Sequence, residues 1–206
     1  MKKLFASLAL LASPLLALAA TPNLVVNGSF EDNLLANGQW KNFSSLNGWT
    51  SVGAGIELRN NIAGSAFDGL NYVELDTTKN SSMFQTIATT AGQSYNFSFA
   101  YANRPGTPVS TNGLDWTVDG GTTWTALAAL PAATGNHNWT PFSTSFVAGS
   151  STRIGFRATG SSDTLGSSLD KVSLTAAVPE PETYALMLAG LGALGFVARR
   201  RKRQQA

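Results

Sequence analysis

The 206-residue chain has no cysteine and a single histidine, and only 13% of its residues are charged. The missing cysteine excludes disulfide staples, thiol nucleophiles and thiolate metal sites, so the fold depends on its packed core or a bound ion. With one histidine, His137 in "TGNHNW", the His-rich and Cys-rich zinc sets are out of reach. No Gly-x-Ser-x-Gly turn is present, and a lone loop histidine is half a catalytic triad at best. There is no fixed-period repeat, which argues against a solenoid or propeller. A convincing amphipathic helix is also lacking between the two ends of the chain.

The ends differ from the middle. "MKKLFASLALLASPLLALAA" places Lys2 and Lys3 before an apolar run, with Ala17-Leu18-Ala19 as a small-x-small site. This is the pattern of a secretory signal peptide over residues 1–20, cut by signal peptidase after Ala19 or Ala20. At the other end Tyr184 to Ala198 is uncharged. At about 1.5 Å per residue, a helix there reaches roughly 22 Å against about 30 Å of hydrocarbon. Arg199, Arg200, Arg201, Lys202 and Arg203 follow, and a positive cluster of this kind stays on the cytoplasmic side. By this physics alone, the tail is a marginal single-pass anchor.

Between the ends, residues 21–178 make one domain's worth of chain. That region holds seven basic residues against ten acidic, a net charge of −3, because much of the positive charge sits in the two ends. A nucleic-acid partner is therefore not expected. Five Asn-x-Ser/Thr sequons, at Asn27, Asn42, Asn80, Asn96 and Asn138, fit a polar surface.

Apolar residues in this middle recur at period two. "QSYNFSFAYAN" alternates Tyr95, Phe97, Phe99 and Tyr101 with smaller or polar residues, the mark of a strand with one buried face. "NLVVNGSF", "GIELR", "NYVELD", "MFQTIAT", "LDWTV", "TWTAL", "FSTSFVAG", "TRIGFRA" and "SLDKVSL" read the same way, separated by Asn-Gly, Gly-Gly, Pro-Gly and Ser-rich turns. Nine or ten short strands predict an all-β sandwich. "TVDGGTTW", Thr117 to Trp124, fits an Asp-box hairpin with Asp119 binding turn amides and Trp124 packed beneath.

Two resemblances rest on these residues. Pro179-Glu180-Pro181, a short Gly-bearing apolar stretch, and the terminal Arg199, Arg200 and Arg201 together resemble the PEP-CTERM sorting signal over residues 179–206. The resemblance implies a tail that tethers the protein transiently in the inner membrane until exosortase removes it. It also implies a destination at the surface or in the exopolysaccharide matrix of a Gram-negative bacterium. "NLVVNGSFE", Gly48-Trp49, "AFDGLNYVELD" and "SSLDKVSL" are similar to galactose-binding-like jelly-roll domains. That resemblance implies a structural calcium ion held by Glu31 and Asp170, joining the two ends of the domain, although Leu169 and Lys171 depart from the family pattern.

Sugar recognition uses aromatic faces beside Asn, Asp and Arg side chains. Trp116 alternates with core residues, Trp124 belongs to the hairpin and Trp49 opens a strand, which leaves Trp40 and Trp139 as candidate platforms. His137 adjoins Trp139, and Arg104 follows a long strand, so Trp40, Arg104, His137 and Trp139 form the expected polysaccharide-binding set. Arg153 and Arg157 face outward in alternation and suit either a ligand or acidic partners. Glu57, Glu74 and Asp76 offer carboxylates at the spacing of a weak glycosidase, or simply an outward-facing set on one sheet. A structural or adhesive protein-binding module is the remaining alternative to a non-catalytic carbohydrate-binding protein.

Overall fold

A computed structural model describes residues 21–178, together with residues 186–192, 194–195 and 200–201. The signal peptide, Pro179, Glu180, Pro181 and Arg199 lie outside the described residues. Arg200 and Arg201 are helical and exposed. Among the described residues no helix is long and apolar enough to cross a membrane.

Among the described residues, twelve strands form two antiparallel six-stranded sheets. The first sheet runs in the order β1 (Gln39–Phe43), β4 (Ile56–Asn60), β5 (Asn71–Glu74), β12 (Ser168–Ala176), β7 (Ser94–Ala102), β10 (Thr140–Val147). The second runs β2 (Ser45–Leu46), β3 (Trp49–Val52), β6 (Ser82–Ala88), β11 (Ser151–Ala158), β8 (Leu114–Thr117), β9 (Thr125–Ala126). Only three of the ten strand pairings, β2–β3, β4–β5 and β8–β9, join chain neighbours, and the result is a jelly-roll sandwich.

The period-two residues of each strand point between the sheets. Phe97 and Phe99 of β7 meet Phe156 of β11 at ring-centroid distances of 5.9 and 4.9 Å, and Trp49 of β3 closes on Phe156 at 6.2 Å. Ile56, Leu58, Val73, Leu169 and Leu174 complete the layer from the first sheet, all fully buried. Each such side chain contributes roughly 1.5–3 kcal/mol by leaving water, which is how a domain without disulfides is held.

"NLVVNGSF" is not a strand. Asn23 to Phe30 runs as coil and turns, with Asn27 at φ 52° and Phe30 at φ 61°. Its polar groups are nonetheless satisfied against β12, through Leu24 N to Leu174 O at 2.8 Å and Val172 N to Gly28 O at 2.8 Å. Gly28 permits that approach, since a Cβ there would lie 2.0 Å from Val172 O.

The Asp-box hairpin forms between β8 and β9. Asp119 accepts from the Thr117 hydroxyl at 2.6 Å and from Thr123 N at 2.9 Å, and these donors hold its carboxyl down at about 2. Trp124 packs edge-on to Phe84, with the Arg157 guanidinium 4.6 Å from its centroid. Arg157 is also bound by Asp115 through two bonds of 2.9 and 2.7 Å, so its outward position serves an acidic partner.

Candidate functional site

The outer face of the first sheet is where the structure collects unusual chemistry. Along β4, Ile56 and Leu58 turn into the core, which sends Glu57 and Arg59 to the opposite face. Register then sets their neighbours. Trp40 of β1 stands opposite Arg59, Asn42 opposite Glu57, and Glu74 of β5 opposite Glu57 on the other side.

These charged side chains are not exposed, because connecting segments fold over the sheet. Glu57 is 4% exposed, Arg59 3% and Glu74 0%. Arg59 Nε binds Glu57 Oε1 at 2.5 Å, and Glu74 Oε2 lies 3.0 Å from Arg59 Nη1 and 3.2 Å from Arg104 Nη1. Gly166 N donates to the other Glu74 oxygen at 2.8 Å. Burial pushes the Glu74 carboxyl up to about 7, opposed by Arg59 and Arg104. Two acids and two guanidiniums thus meet in one cluster, of which only Arg104 is partly exposed.

Beside the quartet lies a groove of about 360 Å³, walled by Trp40, Asn42, Glu57, Arg59, Ile62 and Arg104. That falls within the roughly 300–1,000 Å³ typical of small-molecule sites. Trp40 is 54% exposed and presents its ring at the groove edge. Two buried polar atoms of the wall lack hydrogen-bond partners, Asn42 Oδ1 and Arg59 Nη1. The latter is close to Glu74 but is not aligned with it as a donor.

Of the four sequence-predicted ligand contacts, the groove unites Trp40 and Arg104. His137 and Trp139 lie apart from it, in an aromatic cap. His137 is 8% exposed, with Nδ1 3.0 Å from Ser65 O and Nε2 2.9 Å from the Ser168 hydroxyl. Burial holds its pKa down at about 4, so the ring is neutral near pH 7 and packs within the cap rather than in the groove. Trp139 donates Nε1 to Ser65 O at 3.0 Å and packs against Phe67, Tyr72 and His137 at centroid distances of 6.1, 6.0 and 4.9 Å. Its indole edge is therefore engaged within the protein.

The expected outward-facing trio is buried as well. Asp76 is 1% exposed and accepts from Asp163 N at 2.9 Å and Thr164 N at 3.0 Å, while Glu57 and Glu74 are engaged by the arginines.

Glu31 and Asp170 do converge on one segment, but with the wrong polarity for a cation. Glu31 Oε1 accepts from Leu70 N and Asn71 N at 2.8 and 2.7 Å. Asp170 Oδ2 accepts from Phe67 N and Asp68 N at 2.8 and 2.9 Å, and its Oδ1 from Lys171 N at 2.6 Å. A calcium ion needs a cage of six to eight oxygens, and here the carboxylates face N–H groups. Among the described residues no group of three or more His, Asp or Glu side chains is placed to hold a metal ion. The residues as placed do not fit calcium; they clamp a loop.

Sequence reasoning missed Asn42 and Arg59. The signal was present as Trp40-x-Asn42 and Glu57-x-Arg59, two pairs at strand spacing. It was hidden because "QWKNF" has no period-two apolar run and did not read as a strand, so nothing paired it with β4.

Residues 177–202 match the PEP-CTERM protein-sorting motif. A comparison with curated proteins gives no match. Among solved structures, the module TmCBM61 in complex with β-1,4-galactotriose is similar at 17% identity and TM-score 0.50, covering 76% of this chain and 100% of that one. The arabinose-bound α-L-arabinofuranosidase MgGH51 is similar at 10% identity and TM-score 0.51 over 75% of this chain, which spans only 26% of the enzyme. The CBM22-1 xylan-binding domain from Paenibacillus barcinonensis Xyn10C is similar at 16% identity and TM-score 0.43, covering 71% of this chain and all of that domain. The first two likenesses show the fold and nothing finer. The chain is an all-β jelly-roll domain, similar in fold to carbohydrate-binding modules, followed by a PEP-CTERM protein-sorting motif.

Proposed function

We propose that this protein is exported and binds carbohydrate without catalysing its cleavage, and that exosortase processing of the tail delivers it to the cell surface or the exopolysaccharide matrix. The observation that carries the reading is the groove. An exposed indole at its edge suits stacking on a sugar ring, and the partly exposed Arg104 guanidinium, which has one contact to Glu74, lies in the same wall. The sorting motif at residues 177–202 supports export, and the jelly-roll likeness is compatible with the role.

The carboxylates support a binding role over hydrolysis. Glycosidase pairs flank the scissile bond with one group free to donate a proton and the other free to attack or to activate water. Glu57, Glu74 and Asp76 are each held by guanidinium or amide donors, leaving no such free pair in this trio. The test is a glycan array with the full-length protein in detergent. Retention by at least one polysaccharide, reduced about tenfold or more in Trp40→Ala with the fold intact by circular dichroism, is the expected result. Absence of retention on every glycan would overturn the reading.

A further inference from the structure

The stretch "PFSTSFV", Pro141 to Val147, reads nearly the same in both directions about Thr144: Ser143 and Ser145 flank it, then Phe142 and Phe146, then Pro141 and Val147. It forms most of β10, which ends the first sheet and pairs only with β7 among the described strands. A strand that is self-complementary in sequence and bare along one side fits a second copy of itself, related by a two-fold axis.

The backbone decides which residues face the open edge. Ala148 N donates to Gln93 O at 2.9 Å and Ala177 N donates to Ser94 O at 2.9 Å, so Tyr95, Phe97 and Phe99 turn their peptide groups toward β10. Their register partners Phe146, Thr144 and Phe142 answer them, and by alternation Pro141, Ser143, Ser145 and Val147 present theirs to the outside. Among the described residues, no hydrogen bond takes up those outward groups. Pro141 has no N–H to offer there, and the open side of an edge strand is where a proline is tolerated.

The other three sheet edges are guarded. β2 and β9 have two residues each, and β1 has five with Lys41 at its centre. Short strands and lysines keep edges from pairing, whereas β10 has eight residues and no charge. Its inward Phe142 and Phe146 are only partly buried, and Val147 is 70% exposed, so an added strand covers apolar surface as well as peptide groups.

We propose that two copies of this chain pair antiparallel along β10, with the two-fold axis at Thr144, and join their six-stranded sheets into one continuous sheet. Each Ser143 then exchanges both backbone hydrogen bonds with Ser145 of the other copy, Val147 N donates to Pro141 O, and Phe142 lies beside Phe146. Pairing consumes both bare edges, so assembly closes at the dimer. The groove at Trp40 lies beside β1, at the opposite end of the sheet, and stays open.

The test uses the full-length protein in detergent, and it exploits the absence of native cysteine. Sedimentation equilibrium over about a hundredfold range of concentration is expected to show monomer and dimer in exchange. Thr144→Cys is expected to give a disulfide-linked dimer under mild oxidation, because directly opposed residues hold their Cβ atoms about 4.5–5.5 Å apart and a disulfide needs only a small further closure. Thr122→Cys, on the exposed hairpin, is expected to stay monomeric under the same oxidation. The outward-facing double variant Ser143→Lys/Ser145→Lys sets like charges opposite each other, and is expected to raise the dimer dissociation constant about tenfold or more with the thermal midpoint unchanged. Ser143→Glu/Ser145→Glu is expected to do the same, and an equimolar mixture of the two variants to recover the dimer. A monomer at every concentration overturns the proposal. A dimer that ignores the lysine pair, or that cross-links equally through Thr122→Cys, associates through the tail or another face and overturns it too.

Discussion

His137 is the one histidine of the chain, so its protonation is directly readable. The ring is buried, both nitrogens have partners, and its pKa is held at about 4 by burial first, with Arg59 and Arg104 adding positive charge nearby and the Ser65 carbonyl opposing. The unfolded chain protonates this residue near the ordinary value of about 6.5. Between these values the unfolded state binds more protons, so stability from this group is lost as pH falls from about 6.5 to about 4, by at most about 3 kcal/mol. Glu74 and Asp170 act oppositely: burial raises both to about 7, so the stability they contribute is present at low pH and lost as pH rises through 7. Two measurements follow. The His137 ring protons should titrate near pH 4 by NMR, and His137→Gln should turn the urea-midpoint profile into a steeper fall from pH 4 to 7. A ring titrating near 6.5 would mean that the cap is open.

At the scale of elements, the strands that alternate on one buried face were legible; "GIELR" and "NYVELD" also read as strands, but the burial of β4 and β5 on both faces was not legible. β7 shows its inward aromatics plainly, and the structure places Tyr95, Phe97, Phe99 and Tyr101 in the core. β4 reads as half-exposed because Glu57 and Arg59 are charged. Only the folding of later segments over the sheet buries them, and a local pattern carries no record of that. Glu31 and Asp170 read as a calcium pair only through the resemblance to galactose-binding-like domains. Two carboxylates at the chain ends suit a cation or a row of amides equally well, and the choice depends on which atoms of residues 67–71 face them. The loop is shaped for the clamp at Gly69, where φ is +71° and a Cβ would sit 2.5 Å from Glu31 Oε1. Glu31→Ala should orphan the Leu70 and Asn71 amides and cost about 1–3 kcal/mol, with Glu31→Gln, which keeps an acceptor, costing less. If the clamp replaces a metal, excess chelator should leave the thermal midpoint of the wild-type protein unchanged, whereas a drop on chelation that calcium restores would overturn it.

For the whole molecule, the arrangement of groove and tail follows from one strand. Tyr95, at the start of β7, pairs with Ala176, the last residue of β12, and Arg104 of the groove wall lies two residues beyond the far end of β7 at Ala102. At about 3.4 Å per residue, nine strand residues separate the tail exit from the groove end by roughly 27 Å. A ligand at Trp40 is thus remote from the point at which the chain leaves the sandwich, and removal of the tail need not disturb it. The boundary is sharp. Ala177 still donates to Ser94 O at 2.9 Å and accepts from Gln93 Nε2 at 3.1 Å, and the sorting motif matches from residue 177 onward. A chain ending at Val178 keeps every described contact of β12 and should unfold within about 0.5 kcal/mol of the full-length protein in urea. A chain ending at Ser173 loses the fully buried Leu174 and the pairing of Leu174, Thr175 and Ala176 with Phe97, Asn96 and Tyr95. Leu174 alone contributes about 1.5–3 kcal/mol, and a domain with a total of about 5–15 kcal/mol should be largely unfolded by the combined loss. Strong destabilisation of the chain ending at Val178 would instead show that the tail packs on the sandwich and that its removal changes the protein it releases.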